Sequence, residues 1–390
     1  MKKIGLGIVA LLSVGFTSLF GQQKAQFSQF MVNPFLVNPA LSGAEDFIDV
    51  KLGYRQQWVG FGEGENSTAA PKTMYLSGHM PIGKPHLAQT HPGDLHNWHG
   101  AGVLLYRDNL GLFNANVDLG EDAAEPRSLV STYAALNYSY NIGITDGSGY
   151  GYKHKDGIRL SLGTFVGINQ FNLTSDRFYY PDQALGASQT LDPLNLNGGL
   201  TASVFDVSFG GLLYLDELFH VGLSTFQTLG SEIQLNDESA SNLSRHYYLH
   251  GGYKIEFQEM WYLMPSFLWK SIGGVNSVDL NARVDYNDLI FGGVSFRVGN
   301  GAQFNNSAIT LMAGALIELK EGIHDFRYGK HRYGIEIFYS YDISTLGSQF
   351  NSFQSGTHEI TLGFRLPPMY RERNAEDTWK RDAKRAKKKS

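Results

Sequence analysis

Between Ser277 and Arg297 the chain alternates in character. Val278, Leu280, Ala282, Val284 and Tyr286 fall on one parity, and Asp279, Asn281, Arg283 and Asp285 on the other. Asn287-Asp288 turns the chain. A second run follows, with Ile290, Gly292, Val294 and Phe296 against Gly293, Ser295 and Arg297. A period of two sends successive side chains to opposite faces of a strand, so this hairpin has one apolar and one charged face. The pattern recurs. Tyr247, Leu249, Gly251, Tyr253 and Ile255 oppose His246, Tyr248, His250, Lys254 and Glu256. Tyr333, Ile335, Ile337, Tyr339 and Tyr341 oppose Arg332, Glu336, Ser340 and Asp342. Fourteen strands are predicted, over about 46–59, 71–81, 99–107, 127–141, 157–171, 200–213, 218–227, 244–257, 260–271, 276–286, 289–298, 307–318, 331–342 and 357–366.

The connections sort by parity. Those at 214–217, 258–259 and 287–288 are very short and follow strands six, eight and ten. Long ones follow strands three, five, seven and thirteen. The segments 82–98 and 142–156 are longer than that rule wants. The fold class this predicts is all-β, a transmembrane antiparallel β-barrel with short periplasmic turns and longer extracellular loops. Both ends of the sheet then face the periplasm. Closure removes the edges that fourteen separate ribbons would expose. The charged parity (Arg159, Lys254, Asp279, Arg283, Asp285, Arg297, Glu336, Arg365) is then expected to face the lumen. Its mixed signs, with Arg283 beside Asp279 and Asp285, point to internal salt bridges and a filled interior more than to a selective pore.

Composition agrees. There is no Cys, so disulfides cannot staple the chain, and closure and burial must stabilise it. The mean hydropathy of -0.22 is too polar for a helical membrane protein, but suits strands of which half face lipid. Glycine, at 45 residues, allows tight lumen packing, and 21 Tyr and 25 Phe supply interfacial girdles. Lys2-Lys3 followed by an apolar stretch to Phe20 reads as a signal peptide over 1–21, cleaved near Gly21. Residues 22–45 precede the first strand and are expected either to enter the lumen as a plug or to lie along the periplasmic rim. The barrel spans 46–366, and 367–390 is a basic periplasmic tail. From Arg371 to Ser390 nine Lys/Arg oppose four Asp/Glu. The rest of the mature chain is acidic, much of it between strands. In the tail, Trp379, Lys380, Arg381, Lys384 and Arg385 are candidates for docking a partner.

Candidate chemistry is sparse. His86, His91, His96 and His99 cluster near one connection, but their spacing matches no metal site, and a solvated turn is the better reading. Asp118, Glu121 and Asp122 lack the register of a calcium loop. No G-x-S-x-G accompanies His246, His250 and His358, so those on the lumen parity read as hydrogen-bonding groups. No catalytic residue, metal or cofactor is expected.

Several segments resemble one family. QFSQFMVNPFLVNPALSG (Gln26 to Gly43), YRQQWVGF (Tyr54 to Phe61), APKTMYLSGHMPIG (Ala70 to Gly83), RHYYLHGGYK (Arg245 to Lys254), MPSFLWK (Met264 to Lys270), VDLNARVDYNDLIFGGVSFRVG (Val278 to Gly299) and FYSYDISTLGSQFNSFQSGTHEITLGFRL (Phe338 to Leu366) are similar to the type IX secretion system PorP/SprF membrane proteins of Bacteroidota-type bacteria. The resemblance implies a non-enzymatic outer-membrane component of the secretion and gliding machinery. Its implied partners are the C-terminal domain of a large secreted adhesin, periplasmic components of the same system and outer-membrane lipid, with no nucleic acid. It supplies no binding motif at residue level. A channel for small solutes is the alternative.

Overall fold

The computed structural model describes residues 25–60, 70–84, 97–113, 127–145, 157–174, 200–215, 218–234, 240–258, 260–299, 308–320, 332–345 and 354–367, with the short pairs 324–325 and 329–330. Fourteen strands form the wall: β1 (Ile48–Gln56), β2 (Lys72–Ile82), β3 (Asn97–Phe113), β4 (Arg127–Gly143), β5 (Ile158–Thr174), β6 (Leu200–Leu215), β7 (Phe219–Phe226), β8 (His246–Tyr253, continued as Ile255–Gln258), β9 (Trp261–Ile272), β10 (Val275–Tyr286), β11 (Ile290–Gly299), β12 (Ala308–Lys320), β13 (Tyr333–Ser344) and β14 (Thr357–Leu366). Each pairs antiparallel with its sequence neighbours. β1 pairs with β14 from Ile48↔Leu366 to Gln56↔His358, which closes the barrel. Strand pairing around the closed wall thus gives its backbone donors and acceptors ladder partners without water, the condition for crossing lipid as strands.

The two faces are inverted relative to a soluble sheet. Leu136, Ile168, Phe205, Leu223, Leu280, Ile290, Leu311, Ile337 and Ile360 are exposed, whereas Asn137, Asn169, Asp206, Ser224, Asp279, Thr310, Glu336 and Glu359 are buried. Apolar residues thus form the outer face and polar residues the inner one, as the alternation predicts.

All the predicted strands are present, and some are longer. β3 runs to Phe113 where a turn-like Asp108-Asn109-Leu110-Gly111 ends the prediction. A register shift between Asn109 and Leu112 absorbs the irregularity and lets pairing with β4 continue. β3, β4 and β5 have 17 residues each, more than the roughly 9–11 that a tilted strand needs to cross a bilayer, so this side of the wall rises beyond the apolar band. Short connections follow β6, β8 and β10 at one end of the barrel, here the turn end. In the three-residue turn between Tyr286 and Ile290, Asn287 and Asp288 both adopt φ 53°, the left-handed conformation that Asn and Asp tolerate best among residues with a side chain. The opposite loop end also carries one tight hairpin, through Gly273-Gly274 after β9.

Tyr75 braces the closing seam. Its ring lies across Gly53 of β1, where a Cβ would fall 1.9 Å from the ring, and its hydroxyl is 2.7 Å from Thr361 Oγ1 on β14. One side chain on β2 therefore reaches across β1 to β14. Gly53→Val should displace this ring and lower barrel stability by about 2–3 kcal/mol. Tyr75→Phe, which loses only the hydrogen bond, should cost about 1 kcal/mol. Denaturant unfolding in detergent micelles would read both. Equal effects of the two changes would refute the bracing role.

Candidate functional site in the barrel lumen

The inner face is covered by the chain's own N-terminal segment. Asn33-Pro34 and Asn38-Pro39 each start a one-turn 3-10 helix, Pro34–Leu36 and Pro39–Leu41. Proline suits the first position of a helical turn because that N–H has no partner there in any case. Asn38 caps the second turn, its Oδ1 accepting from Ala40 N at 2.9 Å. Asn33 does not cap its own turn; its amide instead donates to Ser77 Oγ on β2 at 2.8 Å. Phe35 and Leu36 are buried, and Phe35 packs against Phe165 and His79 of the wall.

The path runs lengthwise. Ala44 accepts from Lys84, just past the turn end of β2, while Ser28 bonds to Arg55, next to the last residue of β1 at the loop end. β1 begins and β14 ends at the turn end, as parity predicts. The N-terminal segment, however, starts in the loop half of the interior and descends to enter β1.

Two charged belts hold the interior. In the loop half, Arg55 donates to Asp342 (3.1 Å) and Glu359 (3.0 Å), bridging β1, β13 and β14. Ser28 joins all three: its N–H donates to Glu359 at 2.8 Å, its hydroxyl donates to Asp342 at 2.5 Å and accepts from Arg55 at 2.5 Å. Gln29 donates to Ser340 Oγ and to the Glu359 carbonyl. Next to this group Asp279 accepts from Arg297 at 2.7 Å and Lys270 at 3.1 Å, and Arg297 lies 3.8 Å from Asp342. Three cations thus face three carboxylates. In the turn half, Lys51 pairs with Asp49 and lies 3.8 Å from Glu336, which receives Arg365 at 2.5 Å; His79 lies 3.6 Å from Asp49.

These contacts locate the residues singled out in the sequence. Asp279, Arg297, Glu336 and Arg365 belong to the belts. Arg283 makes a two-pronged pair with Asp285 (2.6 and 2.7 Å) and reaches the Met31 carbonyl at 3.4 Å. It makes no ion pair with Asp279, which Arg297 and Lys270 occupy. Arg159 stacks between Trp98 and Tyr214 at the turn end, and Lys254 lies over Tyr262. His250 meets Asn38 of the inner segment at 3.0 Å. His99 and His358 face outward and contact Tyr138 and Tyr339. His86, His91, His96, the acidic run at Asp118, Glu121 and Asp122, the signal at 1–21 and the tail with Trp379, Lys380, Arg381, Lys384 and Arg385 lie outside the described residues.

The residues that sequence reading passed over are the linkers: Arg55, Lys51, Asp49, Lys270, Asp342, Glu359 and Ser28. Asp342 and Glu359 sit on the polar parity, so the alternation contained part of the signal. Their meeting with Arg55 depends on closure of the first strand on the last. Removing one charge of a buried set leaves the others uncompensated. Arg55→Met should therefore destabilise the folded barrel by about 3–5 kcal/mol, and Arg159→Met, stacked at the rim, by less. The comparison is made by urea unfolding of purified protein in micelles, and a cost below that of Arg159→Met would contradict the belt's role.

The profile of the family described as type IX secretion system membrane protein PorP/SprF matches residues 19–364. No curated protein matches the chain. Among solved structures, the Ralstonia pickettii toluene transporter TbuX is 10% identical over 85% of this chain and 93% of its own, with a TM-score of 0.50. The Pseudomonas putida toluene transporter TodX is 11% identical over 85% of this chain and 92% of its own, with a TM-score of 0.44. At such identities only the fold is shared. The chain is thus an integral outer-membrane barrel that belongs to the type IX secretion system PorP/SprF family.

Proposed function

We propose that the barrel is a non-enzymatic component of the type IX secretion and gliding machinery that binds the C-terminal targeting domain of a secreted surface adhesin. In this reading the loop end faces the cell exterior and carries the adhesin, and the turn end faces the periplasm, where the basic tail with Trp379, Lys380, Arg381, Lys384 and Arg385 meets other components of the system. The single observation that most favours a binding role over transport is the occupied interior. Residues 25–47 run through the lumen, and the belts around them carry matched charge. A wall of mixed, mutually paired charge offers a passing ion little net attraction. Residues 25–47 then act as a plug, the signal peptide over 1–21 directs export, and specificity lies outside the wall, in the loops. The family and the barrel architecture support a non-enzymatic role. Toluene transport belongs to the solved structures compared above; at their identity it gives no reason to assign a solute to this chain.

Deleting the gene should abolish surface display of one adhesin class or release that adhesin into the medium, as read by immunoblotting of cell and culture fractions. Unchanged display would refute the binding role. In planar bilayers the purified barrel should stay electrically silent. Sustained open-state current would favour the alternative, an outer-membrane channel for small solutes.

A further inference from the structure

We propose that the turn half of the lumen is a polypeptide-binding site, and that residues 33–44 are an exchangeable ligand supplied by the same chain. The inference stands whether or not the barrel carries an adhesin.

The wall holds the segment by its main-chain carbonyl groups. From Val37 to Ala44 each one has a partner. Asn38 and Leu41 carbonyls accept from Leu41 N and Ala44 N within the segment. The other six accept from side chains of the wall and its rim. Ser224 donates to Val37 (2.5 Å), Asn137 to Pro39 (2.9 Å), Ser161 to Ala40 (2.6 Å), Ser139 to Ser42 (2.6 Å), Trp98 to Gly43 (2.7 Å) and Lys84 to Ala44 (3.0 Å). The wall therefore reads main chain, in the two-turn path that the Asn-Pro steps impose.

The seat is also shaped for close approach of a backbone. A Cβ at Gly163 would lie 2.4 Å from the Pro39 carbonyl oxygen, and one at Gly210 would lie 2.1 Å from Asn38 Oδ1. Bare backbone at these two positions makes a trough as deep as a polypeptide needs. The strands that carry the donors, β3, β4, β5 and β7, pair with their neighbours in the wall and take no strand from the segment. If the segment leaves, the buried cluster that Phe35, Leu36 and Leu41 share with Leu104, Phe165 and Phe226 opens and Ser139, Ser161 and Ser224 meet water, while the strand ladders remain. The charged belts behave likewise: Arg55 with Asp342 and Glu359, and Arg297 with Asp279, are wall-to-wall pairs that persist when Ser28 departs. The geometry is that of a preformed receptor with a tethered ligand. The class of ligand is a single polypeptide segment with two Asn-Pro steps and small residues at the glycine trough.

The experiment cuts the tether in the folded full-length protein. Glu45 is exposed at the turn end, so a protease-recognition sequence inserted after it is accessible. After cleavage in micelles, a fluorescent peptide with the sequence of residues 25–45 is added and its anisotropy followed. The labelled peptide should bind saturably, one per barrel, and displace the cleaved segment. A peptide of the same composition with both Asn-Pro steps broken should fail to compete. Ser139→Ala with Ser161→Ala, two donors removed without filling space, should weaken binding by about tenfold; Gly163→Val should abolish it. A segment that stays in place and never exchanges under large peptide excess would overturn the proposal, since it is then a core element. Loss of the segment with no rebinding would overturn it too. Correct folding of each variant is checked by heat-dependent gel mobility before cleavage.

Discussion

Arg55 is where the barrel's closure and its filling meet. It projects from the first strand into a group that contains Asp342 and Glu359 of the last two strands and Ser28 of the inner segment. A guanidinium has five donors in a fixed plane, so it can serve both carboxylates and a hydroxyl together. The cost of burying such a cation is severe unless its partners are in place. Closing β1 on β14 supplies the carboxylates, and closure makes the arrangement tolerable. The rest follows from that coupling. A barrel whose seam opened would leave Arg55 facing carboxylates it could no longer reach, and a lumen without its segment would hold the same pairs hydrated.

The interior divides along its length by the kind of bond used. The loop half relies on charge: Arg55, Arg297 and Lys270 against Asp279, Asp342 and Glu359. The turn half adds neutral donors, serine, asparagine and tryptophan, aimed at main-chain carbonyls. Charged pairs in a dry interior are strong but unforgiving of displacement. Neutral hydrogen bonds to main chain are individually weak, of the order of 1 kcal/mol, and their number sets the strength of the seat. Such a division lets the wall hold its own shape by ion pairs while it holds residues 33–44 by neutral hydrogen bonds and by the apolar cluster around Phe35, Leu36 and Leu41. The outer surface adds nothing specific to this; it presents Leu, Ile, Phe and Val to lipid, with Tyr–His contacts near both ends.

Local pattern made much of the wall legible. At Val278 to Phe296 the alternation marks which side chains face lipid, and Asn287-Asp288 marks the hairpin. Asp279 and Arg297 are visibly on the inner parity. Their pairing is also within reach, because they are direct cross-strand partners in one hairpin. Arg55 with Glu359 was not legible in that way. These residues stand 304 positions apart and become cross-strand partners only when the sheet closes on itself. Ser28 and Asp342, 314 positions apart, meet only because the inner segment enters the closed barrel. Pattern within a strand says nothing about which distant strand will lie beside it.

The sequence alone thus determined the class of fold, the number of strands, the face on which each side chain lies and the family. These follow from a period of two and from turn chemistry, both of which act over a few residues. Tertiary structure decided the rest: that residues 25–47 descend through the lumen, that Asp279 pairs with Arg297 and Lys270 while Arg283 takes Asp285, and that serines on three separate strands converge on one stretch of main chain. Those outcomes depend on curvature and closure, which place inner faces of remote strands a few ångströms apart. An irregular segment with two prolines has no period to read, and its place was set by the cavity that the closed wall leaves for it.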